Sequence, residues 1–275
     1  MNHMTKSHLL FKNAVEHTNM EDSTYRQLGA VSQSAIKQML KSPAHYQHYI
    51  STPSEETDAM VLGTATHLSV FQPQHFHQEV VMMPKFDRRT KEGKAGAEQF
   101  LLENGNKISL TPDHYEQCIS MTEAVRNSPT FIKYTETGNP EVSIVADTHF
   151  DNVKAKGRLD WVNHEHRVIL DLKTTSETAN NYGIKKAIKK SGYDIQALYY
   201  IHLMKALHPD TEYRFVFCFV EKEAPHGVRF IEIIPSDLLF NCMPKVSEAF
   251  KSLSKCLTDN VWPSYADGIT YIDIE

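Results

Sequence analysis

From Lys154 to Thr175 the chain reads KAKGRLDWV, NHEH, RVILDLKTT. Apolar and polar residues alternate on either side of a four-residue polar break, the pattern of two strands joined as an antiparallel hairpin. With strands at 154–162 and 167–173 closed by Asn163–His166, Val162 faces Arg167 and Asp160 faces Ile169. Asp160 and Asp171 then share a face as diagonal neighbours, about 7–8 Å apart at the backbone. Lys173 lies two residues beyond Asp171 and points the same way. Val168, Leu170 and Leu172 point oppositely, towards a core.

Around this hairpin the first half reads as helical and the second as mixed. Residues 1–24 are polar with scattered apolar positions, loosely held or a short helix. Ser32 is placed to cap a helix running to Leu40, and Ser42-Pro43 ends it and starts another. Thr57 to Phe71 reads as a helix with Met60, Gly63, Thr64, His67 and Phe71 along one face, and Gly63, Thr64 and Ala65 allow close packing there. A basic loop at 84–94 precedes helices at 92–104 and 111–127. Strands follow at 141–148, 154–162 and 168–173, helices at 178–190 and 194–207, strands at 211–220 and 228–234, and a helix at 236–257. No linker separates the halves, so the expectation is one α/β domain over 25–275, helices around a central sheet.

The composition narrows the function. Of 275 residues 41% are hydrophobic, enough for a large core, and the net charge of −5 excludes a uniformly basic nucleic-acid binder. The four cysteines form no CxxC pair, which argues for free thiols in a reducing compartment rather than a disulfide framework or zinc ribbon. No apolar run has the roughly 18–20 residues of a membrane span. The N-terminus has no secretory pattern. The expectation is a cytoplasmic protein with no membrane partner. The histidine pairs His45/His48, His75/His77 and His164/His166 come with no cysteine and no third ligand at useful spacing, so zinc is not expected.

Two carboxylates and an ammonium on one strand face suit metal-assisted phosphodiester hydrolysis. The acids would hold Mg²⁺ or Mn²⁺, and the lysine would orient or deprotonate the attacking water and offset developing charge. The same spacing also fits a solvated hairpin closed by a salt bridge. The order of the surrounding motifs decides between them. SQSAIKQMLKSPAHY (32–46), LGTATHLSVFQP (62–73), FDRRTKEGKAGAEQF (86–100), KGRLDW, ILDLKTT, YDIQALYY and a terminal WPSY together resemble the RecB-like branch of the PD-(D/E)XK nucleases. The resemblance is closest to the RecE-type exonucleases (exonuclease VIII) and their phage relatives, and it runs from about residue 25 to about 265.

That resemblance implies a central mixed sheet flanked by helices. It also implies a Mg²⁺-dependent exonuclease (Mn²⁺ as substitute) that degrades one strand of linear duplex DNA from 5′ to 3′. His67, Asp160, Asp171 and the backbone of Leu172 would hold the metal. Lys173 would be the catalytic lysine, Gln196 and Tyr200 would order it or contact the substrate backbone, and Glu141 would hold a second metal or support the ligands from behind. The implied partners are duplex DNA ends, a single-strand annealing recombinase and further copies of the chain in a ring. The alternatives are a structure-specific endonuclease of the same fold and a non-catalytic DNA-binding or assembly protein.

Two basic segments suit phosphate contacts that do not read sequence. Residues 85–94 carry Lys85, Arg88, Arg89, Lys91 and Lys94 against Asp87 and Glu92, a local charge of +3. Lys185, Lys186, Lys189 and Lys190 form the second, and either set also fits a solvated face. Ser32 and Ser34, at a helix start, are candidates for a terminal 5′-phosphate.

Overall fold

The computed structural model describes residues 9–53, 56–265, 268–269 and 271. The elements begin with β1 (Phe11–His17), α1 (Asp22–Gln27), α2 (Gln33–Met39), α3 (Pro43–Ser51), α4 (Asp58–Phe71), α5 (Pro73–Glu79) and β2 (Val80–Met82). They continue with α6 (Lys91–Asn104), β3 (Ile108–Leu110), α7 (Pro112–Arg126), α8 (Pro129–Thr135), β4 (Asn139–Thr148), β5 (Lys154–Asn163) and β6 (Val168–Thr175). The rest are α9 (Asn181–Ser191), α10 (Tyr193–Leu207), β7 (Arg214–Glu221), β8 (Val228–Glu232), α11 (Pro235–Asn241) and α12 (Met243–Asp259).

A six-stranded sheet in the order β1-β4-β5-β6-β7-β8 is the centre of the molecule, and β2 and β3 form a separate parallel pair. Every neighbouring pair in the large sheet is antiparallel except β6 and β7, which α9 and α10 connect as a parallel crossover. Both faces of the sheet are covered. Ile144, Leu159, Ile169, Phe215, Phe217 and Phe219 pack with residues of α2, α10 and α12 on one side. Leu170, Leu172, Val216, Cys218 and Val220 pack with α4 and α7 on the other. A strand buried on both faces loses the polar side that alternation normally preserves, so polar residues there need specific partners.

The sheet differs from the expectation at its edge and in one register. Residues 11–17, read as loose or helical, form the edge strand β1 on β4, with a register irregularity between Lys12 and Val15 where Asn13 adopts φ 52°. That bulge interrupts the two-residue period and hides the strand from pattern reading. Residues 1–8 of the same expectation lie outside the described residues. In the central hairpin the pairs are Asn163↔Val168, Val162↔Ile169 and Trp161↔Leu170, so the turn is His164–Arg167. Arg167 takes φ 54° to close it, and Asn163 Nδ2 donates to the Thr137 (2.8 Å) and Tyr134 (3.0 Å) carbonyls, fixing Asn163 in the strand.

The helices follow their caps. Ser32 Oγ accepts from Ala35 N–H and Ser42 Oγ from His45 N–H, each at 3.3 Å, and each helix begins one residue later. The expected helix at 236–257 is two helices, broken at Cys242 because Pro244 fits only a first turn. On α4 the buried stripe is Leu62, Ala65, Thr66, Ser69 and Val70, while Met60 and Thr64 of the anticipated face are exposed. Trp262 stacks on Tyr46 at 5.7 Å and Pro263 O accepts from Ala44 N–H, fastening the tail to α3. The four cysteines are free and buried. Among the described residues no helix is long and apolar enough to cross a membrane.

One buried polar contact under β1 makes stability acid-sensitive. His202 on α10 is 1% exposed, and its Nδ1 accepts the Leu10 N–H at 3.1 Å. Burial lowers its pKa from 6.5 to about 4, because protonation would charge a dry ring and put a proton where Leu10 already donates. The unfolded chain takes up this proton below pH 6.5 and the folded chain resists it until about pH 4. Stability is therefore full above pH 6.5 and falls as pH drops through this window, by about 2 kcal/mol between pH 6.5 and 5. Urea unfolding at pH 7.5 and pH 5, on the wild type and on His202→Gln, should show this loss only in the wild type.

Candidate active site

The centre forms where β5 and β6 part. Their ladder ends at Trp161↔Leu170. One step further the Asp160 carboxylate enters the gap, and its Oδ2 accepts the Leu172 N–H at 2.8 Å. A side chain thus takes the hydrogen bond that a continued ladder would have supplied. The observed register moves the hairpin by two from the expected one. The ladder stops before it reaches either acid: Asp160 is met by α4 from one side of the sheet and Asp171 by α10 from the other.

Each acid is held from a different helix. His67 Nδ1 of α4 lies 3.1 Å from Asp160 Oδ2. Gln196 Nε2 of α10 donates to Asp171 Oδ2 at 2.6 Å. Lys173 Nζ sits 2.5 Å from Asp171 Oδ1 and pairs with it as an ion pair. The ammonium also stands 4.9 Å from the Tyr193 ring centroid. Glu141 lies between the pairs Pro140↔Trp161 and Val142↔Leu159, which sets it opposite Asp160, with φ 53°. Tyr200 is buried beneath the site, its ring where a side chain at position 157 would be: a Cβ on Gly157 would lie 2.9 Å from Tyr200 Cε1 and 2.5 Å from Leu203 Cδ1. Gly157 thus lets α10 sit directly on β5.

The electrostatics are those of two acids crowded at low dielectric. Burial and the Asp160 charge push Asp171 up to about 6, against the opposing pull of Lys173. Burial also pushes Asp160 up, but His67, Lys173 and the Leu172 N–H outweigh it and hold Asp160 below the usual carboxylate range. Burial disfavours the His67 cation, yet Asp160 keeps its pKa above the ordinary imidazole value. Burial, then Asp160, raise Glu141 to about 7. Two crowded buried carboxylates and an imidazole make a set that fits a divalent cation, which would relieve the repulsion between the two acids.

Two participants escaped the sequence reading. Arg158, two residues before Asp160, is largely buried, with Nε 3.0 Å from Ser143 Oγ and 4.0 Å from Glu141 Oε2. Lys37 on α2 donates to Ser191 O at 3.1 Å. Burial, then the Lys173 charge, lower its pKa to about 8. Its spacing of three from Ser34 on a capped helix was the available signal.

The expected DNA-binding residues fall into a cleft, two ion pairs and an exposed set. Ser32 Oγ is taken up by its cap, whereas Ser34 lines a 430 Å³ cleft with Lys37, Lys41, Lys189 and Lys190. Arg89 is clamped by Asp87 at 2.9 and 3.1 Å, and Lys186 pairs with Glu177 at 2.7 Å. Arg88, Lys91, Lys94 and Lys185 are exposed.

The comparisons with known proteins agree with this architecture. The model of a PDDEXK-like domain of unknown function (DUF3799) matches residues 32–275. Among solved structures, a candidate exonuclease of Eubacterium rectale is similar with a TM-score of 0.65 at 13% identity, covering 94% of this chain and 97% of that one. At that identity the likeness is one of fold. A phage-related exonuclease of Haemophilus somnus gives a TM-score of 0.36 at 13% identity over 62% of this chain and 84% of its own, too low to carry an argument. No curated protein matches the sequence significantly. The family match spans nearly the whole chain, and the protein belongs to the PDDEXK-like family of unknown function.

Proposed function

We propose that the protein is a metal-dependent deoxyribonuclease acting through Asp160, Asp171 and Lys173. The observation that carries this reading is the parting of β5 and β6, where two acids gather beside a lysine and a helix histidine. Asp160, Asp171, His67 and the Leu172 backbone would hold the ion. When bound, Mg²⁺ (or Mn²⁺) supplies Lewis acidity at the scissile phosphate and lowers the pKa of its water. Lys173 orients the attacking water and offsets charge developing on the phosphate, and Gln196 fixes the Asp171 carboxylate. Glu141, with a pKa near neutrality, is placed to accept a proton.

We extend the reading to an exonuclease that consumes one strand of linear duplex DNA from 5′ to 3′, as the resemblance to RecE-type enzymes implies. Exposed Arg88, Lys91, Lys94 and Lys185 would contact phosphates without reading bases. The cleft of Ser34, Lys37 and Lys190 would face the cut strand. An annealing recombinase and a ring of like subunits would be its partners. End-labelled linear duplex and closed circular DNA, each with Mg²⁺ and with EDTA, test the proposal. Linear DNA should be consumed only with Mg²⁺ and circles spared. Rapid cutting of circles would make the enzyme an endonuclease, and no cleavage with any divalent ion would leave a binding protein.

A further inference from the structure

Away from the two acids, a second group of ligating side chains meets. Glu16 comes from β1, His164 from the β5–β6 turn and His208 from the residue after α10, and one donor atom of each lies within 4.8 Å of the others. His164 is four residues beyond Asp160, ~13 Å along the strand direction. Of the sequence pair His164/His166, only the first belongs here, because His166 lies edge-on to Tyr134. The third ligand invisible in local spacing is supplied by strands and loops remote in sequence.

We propose that Glu16, His164 and His208 form a second divalent-cation site, of zinc type, that fastens the edge strand β1 to the core of the sheet. The ring orientations are those a cation needs. His164 Nδ1 is 2.7 Å from the Tyr213 hydroxyl, which leaves Nε2 directed at Glu16 Oε1, 3.3 Å away. A ligating histidine characteristically commits its other nitrogen to such an outer partner, which fixes tautomer and ring angle. His208 is held against Tyr213, rings stacked at 5.5 Å and 24°, and meets the His164 ring edge-on at 5.5 Å. Its Nε2 is buried with no partner. An unpaired buried imidazole nitrogen is costly, and a cation would satisfy it.

The donor set chooses the ion. Two imidazoles and one carboxylate suit Zn²⁺ and its neighbours Co²⁺ and Ni²⁺, whereas Mg²⁺ and Ca²⁺ prefer all-oxygen shells. Tetrahedral ligands at 2.0–2.1 Å from zinc stand about 3.3 Å from each other, so only small side-chain rotations close the group. All three residues are half-buried, which leaves a path to solvent and a fourth position for water. The ligands come from three separate segments, so binding would close long loops and hold β1 in place.

Cobalt distinguishes this site from the acidic one, because tetrahedral Co²⁺ held by two imidazoles absorbs strongly in the visible and octahedral Co²⁺ does not. Metal-free full-length protein titrated with Co²⁺ should develop such a band with one equivalent, and Zn²⁺ should abolish it. Asp171→Ala should keep the band. His164→Ala and His208→Ala should weaken binding by on the order of 100-fold, and Tyr213→Phe by roughly tenfold. Zn²⁺ should raise the melting temperature of the wild type and of Asp171→Ala, and leave His208→Ala unmoved. If His208→Ala does not fold, the isosteric Glu16→Gln decides the same question. No band in the wild type, or a band that survives His208→Ala and Glu16→Gln, would overturn the proposal.

Discussion

Asp160→Ala and Asp171→Ala should each abolish metal-dependent cleavage, while Lys173→Ala should keep metal and DNA binding and lose turnover by on the order of 10²–10³-fold. The acids and the lysine differ in when they act. Each carboxylate holds the cation before any bond is broken, so its loss removes the reagent itself. The ammonium acts on charge that develops only in the transition state, so its loss leaves the ground state bound. Asp171→Asn tests the same point with less disturbance, since Gln196 still finds an oxygen to donate to. Single-turnover cleavage with Mg²⁺, alongside DNA binding in Ca²⁺, separates the two classes. Equal loss of binding in Lys173→Ala would place the lysine on the substrate in the ground state instead.

Arg158→Met should cost about 3 kcal/mol of stability, the effect of removing a largely buried cation that donates to three acceptors. Its guanidinium is bound by Met20 O at 2.8 Å, Asp22 Oδ1 at 3.1 Å and Ser143 Oγ at 3.0 Å, and lies 4.4 Å from the Tyr25 ring centroid. It therefore ties the segment before α1 to the middle of β4 and β5. Methionine preserves the apolar stem and removes only the charge and its donors, so packing loss is not confounded with it. The melting temperature should fall by roughly 6–10 °C. Removal of the nearby cation should also push Glu141 further up, which a pH–rate profile would register as a shift of a limb to higher pH. A change of under 1 kcal/mol would mean that solvent reaches the guanidinium.

The hairpin was legible because a two-residue period survives any even shift in register. By alternation alone Asp160, Asp171 and Lys173 fall on one face whether Val162 meets Arg167 or Ile169, but the ladder stops at Trp161↔Leu170 and the acids meet in the gap beyond it. The shift itself was not legible, since it rests on Asn163 reaching Thr137 across 26 positions of sequence. His67 was found through its place among motifs rather than through its helix, whose anticipated face is partly exposed. Local spacing does not mark Arg158 or Lys37 as buried, and only tertiary burial gives them consequence. The same holds for β1, whose bulge at Asn13 breaks the alternation, and for Glu16 and His208, which meet only after the sheet is complete.

That edge strand has a kinetic consequence. β1 is made well before its partner: Val15 pairs with Val145, 130 residues downstream. At about 5–20 residues per second, roughly 6–26 s of synthesis separate a strand from the neighbour it needs. During that interval its backbone donors have only water or another chain, and its FKNAVEH sequence, with charges at Lys12 and Glu16, keeps it a poor template for pairing with its own kind. The pairing is also among the longest-range in the sheet, and such contacts close last because the loop entropy must be met before they form. Refolding of β1 should accordingly be the slow phase, and hydrogen exchange at Val15 and Glu16 should become protected after the amides of β5 and β6.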